Sequence, residues 1–357
     1  MGIKILITIL VLLIIVAGVL LGIKIMTDKE KTGNIQTGTA NQEEPGTTVV
    51  EMKEPKIFKG NDRPIAVMID NHKGAMPQAG LNDAYLVYEI IVEGGESRLM
   101  ALFKGVELDK IGPVRSARHY FLDYALENDA IYVHFGWSPQ AQSDITKLGV
   151  NNINGISESA TSFWRTKDKY APHNVATSTK KILEIAKRKG YATTSKKESV
   201  LNYVADETTL NTDTQATKIS IPYSPSNEVT YEYDSTTNRY VRYSRNTKQV
   251  DWTTGETVTT KNIIIVKCQN TTLNDGENKG RQTLDNVKAL KGYYITNGKA
   301  IEITAEKSTR SSQTVYKDLE GNEIEVNDGN TFIQICPLDA DIKIEPGKPE
   351  TTTSTNE

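Results

Sequence analysis

The residues best suited to acid-base or ligand chemistry are concentrated in one part of the 357-residue chain. All four histidines lie between residues 72 and 173, so the second half of the chain has none. Histidine exchanges a proton near neutral pH, and arginine binds carboxylates and phosphates through paired N–H groups. Four arginines lie in the same stretch: Arg98, Arg115, Arg118 and Arg165. The sequence therefore predicts a polar Arg/His cleft in the first half of the chain.

Two of these arginines belong to the segment Gly-Pro-Val-Arg-Ser-Ala-Arg at residues 112–118. The helical spacing of the apolar residues after it predicts a helix with Ser116 as its N-cap. The free N–H groups at that helix end, together with Arg115 and Arg118, would hold a carboxylate or phosphate. The alternative is structural, with both arginines paired to acidic residues of the same domain. The spacing leaves these two interpretations open.

Other ligand-binding candidates follow predicted strands and loops. His134 ends a short predicted strand, which is where open α/β sheets bind their ligands. Arg165, His173 and Asn174 lie in later loops and complete the predicted ligand-binding set. Ser138 is interpreted as a helix N-cap and not as a nucleophile, because a Gly-x-Ser-x-Gly pattern would need a second glycine.

Four acidic residues accompany the cleft: Asp70, Glu89, Glu93 and Glu96. A carboxylate beside a histidine can serve acid-base catalysis, so His134 or His173 with Glu93 or Asp70 would suit a hydrolase or transferase. Asp70, Glu93 and Glu96 are equally the partners that the structural interpretation gives to the arginines. Glu89 lies inside an apolar run, where its charge needs a partner such as arginine.

Metals and cofactors have no clear signal. We expect no metal site on Cys268 and Cys336, since no histidine lies in that half of the chain. The two cysteines either form a disulfide or remain buried thiols, and both arrangements are open. The cofactor is unspecified.

The elements around these residues predict an α/β or α+β domain at residues 57–195, with some parallel pairing. Predicted strands run from Pro64 to Ile69, Ala84 to Val92 and Arg98 to Phe103, with a Gly-Gly turn between the last two. A short strand then ends at His134, and predicted helices follow Ser138 and Ser178.

Beyond a predicted linker at 196–220, the chain reads as a mainly antiparallel β domain at 221–343. Aromatic and polar residues alternate there, and Asn297-Gly298 is a strong signal for a two-residue hairpin turn. Residues 344–357 are predicted to be a disordered tail because Thr, Ser, Glu and Asn dominate them.

The amino terminus predicts attachment to a membrane. Residues 5–22 form an uncharged apolar run between Lys4 and Lys24, long enough to span the hydrocarbon. We expect residues 1–26 to be a retained single-pass anchor, with a cleaved signal as the alternative. Residues 27–56 have the composition of a flexible linker, which favours an extracytoplasmic soluble part although the flanking lysines argue for the opposite orientation. The net charge of −3 argues against nucleic-acid binding.

Several motifs occur in a fixed order. The first half carries Arg-Pro-Ile-Ala-Val-Met-Ile-Asp-Asn at 63–71, Pro-Gln-Ala-Gly-Leu at 77–81, Glu-Gly-Gly at 93–95, the 112–118 segment and Ala-Pro-His-Asn at 171–174. The second half carries Tyr-Glu-Tyr-Asp at 231–234 and Asn-Arg-Tyr at 238–240. Through these motifs the chain from about residue 55 to 338 resembles the YerB-type family of bacterial lipoproteins.

The resemblance implies an exported, surface-tethered protein of Gram-positive type with two domains of unknown function, and it supplies no activity. This sequence departs from a lipoprotein because no Cys follows the apolar run. Our first hypothesis is a membrane-anchored cell-envelope binding or accessory protein, whose cleft takes an anionic group of a wall polymer or peptide. The second is a hydrolase or transferase acting on an envelope glycan or phosphodiester. In the third, the β domain is a protein-interaction module.

Overall fold

The structure is a computed structural model that describes residues 53–347. The predicted anchor at 1–26, most of the predicted linker at 27–56 and most of the predicted tail at 344–357 lie outside the described residues. Within 53–347, no helix has both the length and the apolar character needed to cross a membrane.

Strands dominate the described chain. The strands of the first half are β1 Ile65–Asp70, β2 Leu86–Ile91, β3 Ser97–Phe103, β4 Ile131–His134, β5 Asn152–Asn154, β6 Trp164–Arg165, β7 Val175–Ala176 and β8 Tyr203–Val204. The second half adds β9 Lys218–Ser224, β10 Asn227–Asp234, β11 Arg239–Ser244, β12 Thr247–Lys248, β13 Thr259–Thr260, β14 Asn262–Cys268, β15 Asn270–Thr272 and β16 Gln282–Leu284. The last strands are β17 Ala289–Thr296, β18 Lys299–Glu306, β19 Val315–Lys317, β20 Val326–Asn327, β21 Thr331–Pro337 and β22 Lys343–Glu345.

The α-helices of the described residues are α1 Phe121–Glu127, α2 Pro139–Lys147 and α3 Thr179–Arg188. Ser138 and Ser178 cap α2 and α3 by accepting from Ala141 N and Lys181 N, as free N–H groups at a helix start require. The predicted cap at Ser116 is wrong, since α1 begins at Phe121. Residues 114–117 are held extended by bridges from Val114 to β1 and from Ala117 to Trp137, so a helix cannot start there.

One ten-stranded sheet joins the two halves of the chain, in the order β19-β18-β17-β14-β21-β2-β3-β1-β4-β5. Strand β2 of the first half pairs in parallel with β21 of the second. In the first half β3 is antiparallel to β1 and β2, whereas β4 is parallel to both β1 and β5. The first half is thus a mixed sheet with few helices. The predicted α/β or α+β class is confirmed there only in part, because the sheet contains both parallel and antiparallel pairs. The predicted antiparallel pairing of the second half is confirmed for most of its strands.

The ten-stranded sheet is covered on both faces. Helices α1 and α2 pack on one face, where Phe121 and Ile145 are buried. Helix α3 and a second sheet, β12-β11-β10-β9-β22 with β13 on β11, pack on the other face through residues such as Ile182 and Ile219. Both faces are apolar, so each polar side chain inside them needs an internal partner.

The two predicted hairpin turns contain residues with positive φ, a conformation that glycine and asparagine adopt readily. Gly94 and Gly95 have φ of 69° and 73° between β2 and β3. Asn297 and Gly298 have φ of 52° and 73°, which is the two-residue turn predicted between β17 and β18.

The two cysteines are free and buried, and they lie on neighbouring strands. Cys336 of β21 is opposite Lys267 of β14, so Cys268 is one residue out of register with it. Successive residues point to opposite faces of a sheet, and the two thiols accordingly join separate cores. Of the two arrangements left open by the sequence, the structure has the buried thiols. Burial raises the pKa of each thiol to about 12.

A buried ion pair connects the two sheets. Glu89 Oε2 accepts a hydrogen bond of 2.6 Å from Arg242 of β11, and both side chains are 0% exposed. Glu89 Oε1 accepts from Asn71 Nδ2 at 2.9 Å and from Ser97 Oγ at 2.6 Å. The partner expected for Glu89 is therefore an arginine, and it comes from the other half of the chain.

We predict that Arg242→Gln lowers the free energy of unfolding by roughly 3–5 kcal/mol, because the carboxylate of Glu89 would stay buried without its counter-charge. Urea denaturation followed by circular dichroism measures this loss. The double change Glu89→Gln with Arg242→Gln leaves no lone charge and should cost less than the two single changes added together. An Arg242→Gln protein within about 1 kcal/mol of the wild type would contradict the prediction.

Candidate functional site

Asp70, the last residue of β1, is the centre of a polar cluster. Its Oδ2 accepts a 2.7 Å hydrogen bond from His173 Nδ1. Arg115 Nε lies 3.2 Å from the same oxygen, as an ion pair whose geometry is not that of a hydrogen bond. Oδ1 accepts from the backbone N–H of His72 at 3.1 Å. Since its side chain is only 5% exposed, the Asp70 carboxylate needs these partners inside the protein in place of water.

The outer side of this cluster is open to solvent. His173 stacks on His72 with ring centroids 4.4 Å apart and an interplanar angle of 10°. The His173 and Arg115 side chains are 19% and 26% exposed. No residue among 53–347 hydrogen-bonds to Nε2 of His173 or to the terminal amino groups of Arg115. The N–H groups of Arg115 and the ring nitrogen Nε2 of His173 are therefore free to engage a ligand.

Two more arginines, Arg98 and Arg118, contact Glu93 close to this cluster. Arg118 Nε donates to Glu93 Oε1 at 2.5 Å. Arg98, opposite Asp70 in the sheet, donates to the carbonyl of Ser116 at 2.6 Å and lies 4.0 Å from Glu93 Oε2. Both arginines of the 112–118 segment thus have carboxylate partners, as the structural interpretation predicts.

The arginines of this cluster share their carboxylate partners. Three guanidinium groups, those of Arg98, Arg115 and Arg118, face the carboxylates of Asp70 and Glu93. A fourth, that of Arg281, lies 3.9 Å from Glu93 Oε1 and is paired with Asp275 and Glu277, so the connected guanidinium and carboxylate groups balance as a whole. Burial, followed by repulsion from Arg118, lowers the pKa of Arg98 to about 10. Burial would raise the pKa of Glu93, but its pKa is lowered by the charge and hydrogen bond of Arg118. Guanidinium groups thus outnumber carboxylates only close to Asp70 and Glu93, where the surroundings are poorly solvated.

Some buried donors here have no partner within the described part of the chain. They include Arg98 Nε and the hydroxyl of Tyr132 on β4, which lies close enough to Arg98 and Arg118 to feel their charges. Buried polar atoms are usually satisfied, so these two atoms mark a place where a water molecule or an anion would be stabilised.

His134 lies apart from this cluster. Its Nδ1 is 2.8 Å from the carbonyl of Gly136, and its Nε2 is 3.3 Å from Asn152 Oδ1. The ring packs between Tyr132 and Trp137 and is fully buried. Because both ring nitrogens have protein partners, neither is free to bind a ligand or to act as a base in this conformation.

The remaining candidates organise loops. Arg165 donates to Asn174 Oδ1 at 2.7 Å, and Asn174 Nδ2 donates to the carbonyl of Thr166 at 3.0 Å. Asn174 thereby shapes the loop that presents His173 to Asp70. Ser116 contributes its carbonyl to Arg98, while its hydroxyl donates to the carbonyl of Phe135 at 3.1 Å.

The second half of the chain completes the surroundings of the His173 loop. Trp252 donates from Nε1 to Asp168 Oδ2 at 2.7 Å, and its backbone N–H reaches Gln78 O at 2.8 Å. Lys169 Nζ lies 4.4 Å from the Trp252 ring centroid and donates to Met76 O at 2.7 Å. Sequence reasoning missed Trp252 and Tyr132 and counted His72 only among the four histidines of the first half, because no local pattern connects these residues with Asp70.

We predict that His134 makes the protein less stable in mild acid. Burial lowers the pKa of His134 to about 4 from an ordinary value of 6.5. Between pH 6.5 and about pH 4, the unfolded chain therefore binds a proton at His134 that the folded protein does not bind. The free energy of unfolding consequently decreases as the pH falls through that range.

Urea denaturation at pH 7 and pH 5 should show a smaller loss for His134→Gln than for the wild type. Burial also lowers the pKa of His119 to about 4, so adding His119→Gln should reduce the loss further. A His134→Gln protein with the full wild-type loss would rule out this assignment.

Comparison with known proteins assigns the family. Residues 48–192 match the N-terminal domain, and residues 219–333 the C-terminal domain, of a protein family of unknown function, DUF3048. The chain is 32% identical over 290 residues to the protein named "Putative lipoprotein YerB" of Bacillus subtilis, covering 78% of this chain and 82% of that protein.

The crystal structure of Bacillus subtilis YerB is also similar, with a TM-score of 0.71 and 31% identity, over 82% of this chain and 96% of that one. The resemblance predicted from the motifs is confirmed. The chain therefore belongs to the two-domain DUF3048 family and is a relative of YerB.

Proposed function

We propose that this protein is a membrane-anchored accessory protein of the cell envelope, which binds an anionic group of a wall polymer or peptide at the Asp70 cluster. The observation that carries the proposal is the excess of guanidinium groups over carboxylates close to Asp70, with the free N–H groups of Arg115 on the open side. A phosphate or carboxylate would neutralise this excess and receive charge-assisted hydrogen bonds.

Burial strengthens the argument. A guanidinium group that shares its carboxylate partner in a poorly solvated place is incompletely neutralised, and an incoming anion lowers that cost while it gains hydrogen bonds. Arg115 can offer a planar pair of N–H groups, which suits a carboxylate or phosphate better than a point charge does. Ser116, Arg118, Arg165 and Asn174 then act as positioning residues, since each already bonds to the protein.

The proposed location rests on the sequence and on the relative. A similar protein is named "Putative lipoprotein YerB", and this name supports association with the outer face of a membrane. We assign the anchor to the apolar run at residues 5–22, which is long enough to span the hydrocarbon.

Thermal melting of the full-length protein in a non-ionic detergent tests anion binding, with glycerol phosphate and a muramyl peptide as probes. A ligand at one hundred times its Kd stabilises the folded state by about 2.7 kcal/mol, which raises the melting midpoint by several degrees. Arg115→Gln should abolish the rise.

Arg188→Gln is the matched control, because Arg188 is an exposed arginine at the end of α3, away from Asp70. The control should respond like the wild type. If neither probe raises the midpoint, or if Arg115→Gln responds as fully as the control, the arginines have a purely structural role.

A second function is favoured by one contact, the 2.7 Å hydrogen bond between His173 and Asp70. When Nδ1 donates to a carboxylate, the ring is oriented and Nε2 is left unprotonated, as a general base requires. Arg115 beside it would stabilise a developing oxyanion. This pairing supports a hydrolase or transferase for an envelope glycan or phosphodiester, with His173 as base. His134 and Glu93 have no role in it.

Turnover of bis(p-nitrophenyl) phosphate and release of fragments from peptidoglycan distinguish catalysis from binding. For an enzyme, His173→Asn should lower kcat by roughly 10²–10⁴-fold while the melting response to glycerol phosphate persists. A wild-type rate equal to that of His173→Asn would leave binding as the only function of this cluster.

A further inference from the structure

A large groove lies on the second half of the chain, far from Asp70 in the order of the ten-stranded sheet. It has a volume of about 810 Å³ and runs between β18 and β22. Its apolar lining includes Leu210, Tyr293, Ile301 and Ile344, which are only partly buried, and Leu319, which is 70% exposed. Apolar side chains gathered in an open groove are typical of surfaces that bind another chain.

One edge of strand β18 is only partly paired where it borders the groove. Strand β18 pairs with β17 along all of its eight residues. On its other side β19 covers only residues 304–306, and a single bridge from Gln215 covers Lys299. Residues 301–303 therefore have no strand beside them within the described chain.

The register identifies which backbone groups face outward. The hairpin turn at Asn297-Gly298 makes Thr296 and Lys299 a closing pair, and hydrogen-bonded positions then alternate along β18. Ala300 N accordingly points away from β17 and donates to Thr214 O at 3.2 Å. Glu302, two residues further on, presents its N–H and C=O to the same side, where the groove lies. An exposed pair of this kind is a template for an added strand.

The charged residues that line the groove indicate which kind of segment would bind there. Of the residues that line the groove, Glu302, Asp318 and Glu320 are acidic, and none is Lys, Arg or His. Backbone N–H groups, that of Asn322 foremost, lower the pKa of Asp318 and keep it ionised. The occupant that complements this surface has basic side chains between apolar ones.

We propose that β18 binds an extended segment of a partner protein, with alternating basic and apolar residues, as an additional strand paired at Glu302. Main-chain hydrogen bonds to Glu302 supply the docking, the apolar groove takes one face of the segment, and the carboxylates take its basic side chains. The groove shares no lining residue with the Asp70 cluster, so the interaction is independent of the function proposed above.

The test uses the full-length protein and a synthetic heptapeptide of alternating lysine and valine, with a heptapeptide of alternating glutamate and valine for comparison. Fluorescence anisotropy of the labelled peptides should give at least tenfold tighter binding for the lysine peptide. Glu302→Pro removes the outward N–H without touching the β17 ladder, a substitution that edge strands tolerate. It should weaken binding at least tenfold.

Glu302→Gln is the matched control, since it removes one charge but keeps the N–H, and it should weaken binding by less than Glu302→Pro does. Leu319→Lys gives an independent readout if Glu302→Pro proves unstable. It alters only an exposed side chain and should weaken the lysine peptide at least threefold.

Equal binding of the two peptides, or undiminished binding by both Glu302→Pro and Leu319→Lys, would overturn the proposal, as would no binding at all. Sedimentation velocity tests the alternative that a second copy of the chain occupies the groove. A wild-type dimer that Glu302→Pro converts to monomer would assign the groove to a second copy of the chain and would also overturn it.

Discussion

Two charges taken out of water, on Glu89 and Arg242, have to be neutralised and hydrogen-bonded inside the protein, and this requirement fixes how its two sheets meet. The same carboxylate orients Asn71 and Ser97, which also bonds to Asn227. Asn71 directly follows Asp70, so the pair that holds the sheets together also sets where β1 ends. The geometry of the Asp70 cluster thus depends on the contact between Glu89 and Arg242, which joins the two halves of the chain.

The Asp70 cluster and the β18 groove use opposite chemistry. At Asp70, arginines outnumber carboxylates in a confined place, which suits a small anionic group. In the groove, three carboxylates surround apolar side chains and an open strand edge, which suits an extended basic chain. Both belong to the same ten-stranded sheet but to different halves of it. The two proposed sites share no residue, so a ligand at one would leave the other accessible.

The sequence was informative wherever a single residue has a local backbone requirement. Positive φ at Gly94 and at Asn297-Gly298, and the N-caps at Ser138 and Ser178, follow from properties of those residues alone. Asp70 and His173 were both candidates, but their contact spans two distant segments and no spacing encodes it. The cap at Ser116 failed for the same reason, because bridges to β1 and Trp137 override a local preference. The parallel pairing of β2 with β21 is likewise invisible to periodicity.

That pairing has a consequence for how the chain is made. Strand β2 ends at Ile91, yet the strand that covers its free side begins only at Thr331. During synthesis or export, an apolar strand edge therefore stays uncovered until almost the last described residue has emerged. The family's two domains are consecutive in sequence, but the first cannot close its sheet before the second has arrived. A chain released early would expose the open side of β2 to any other strand nearby.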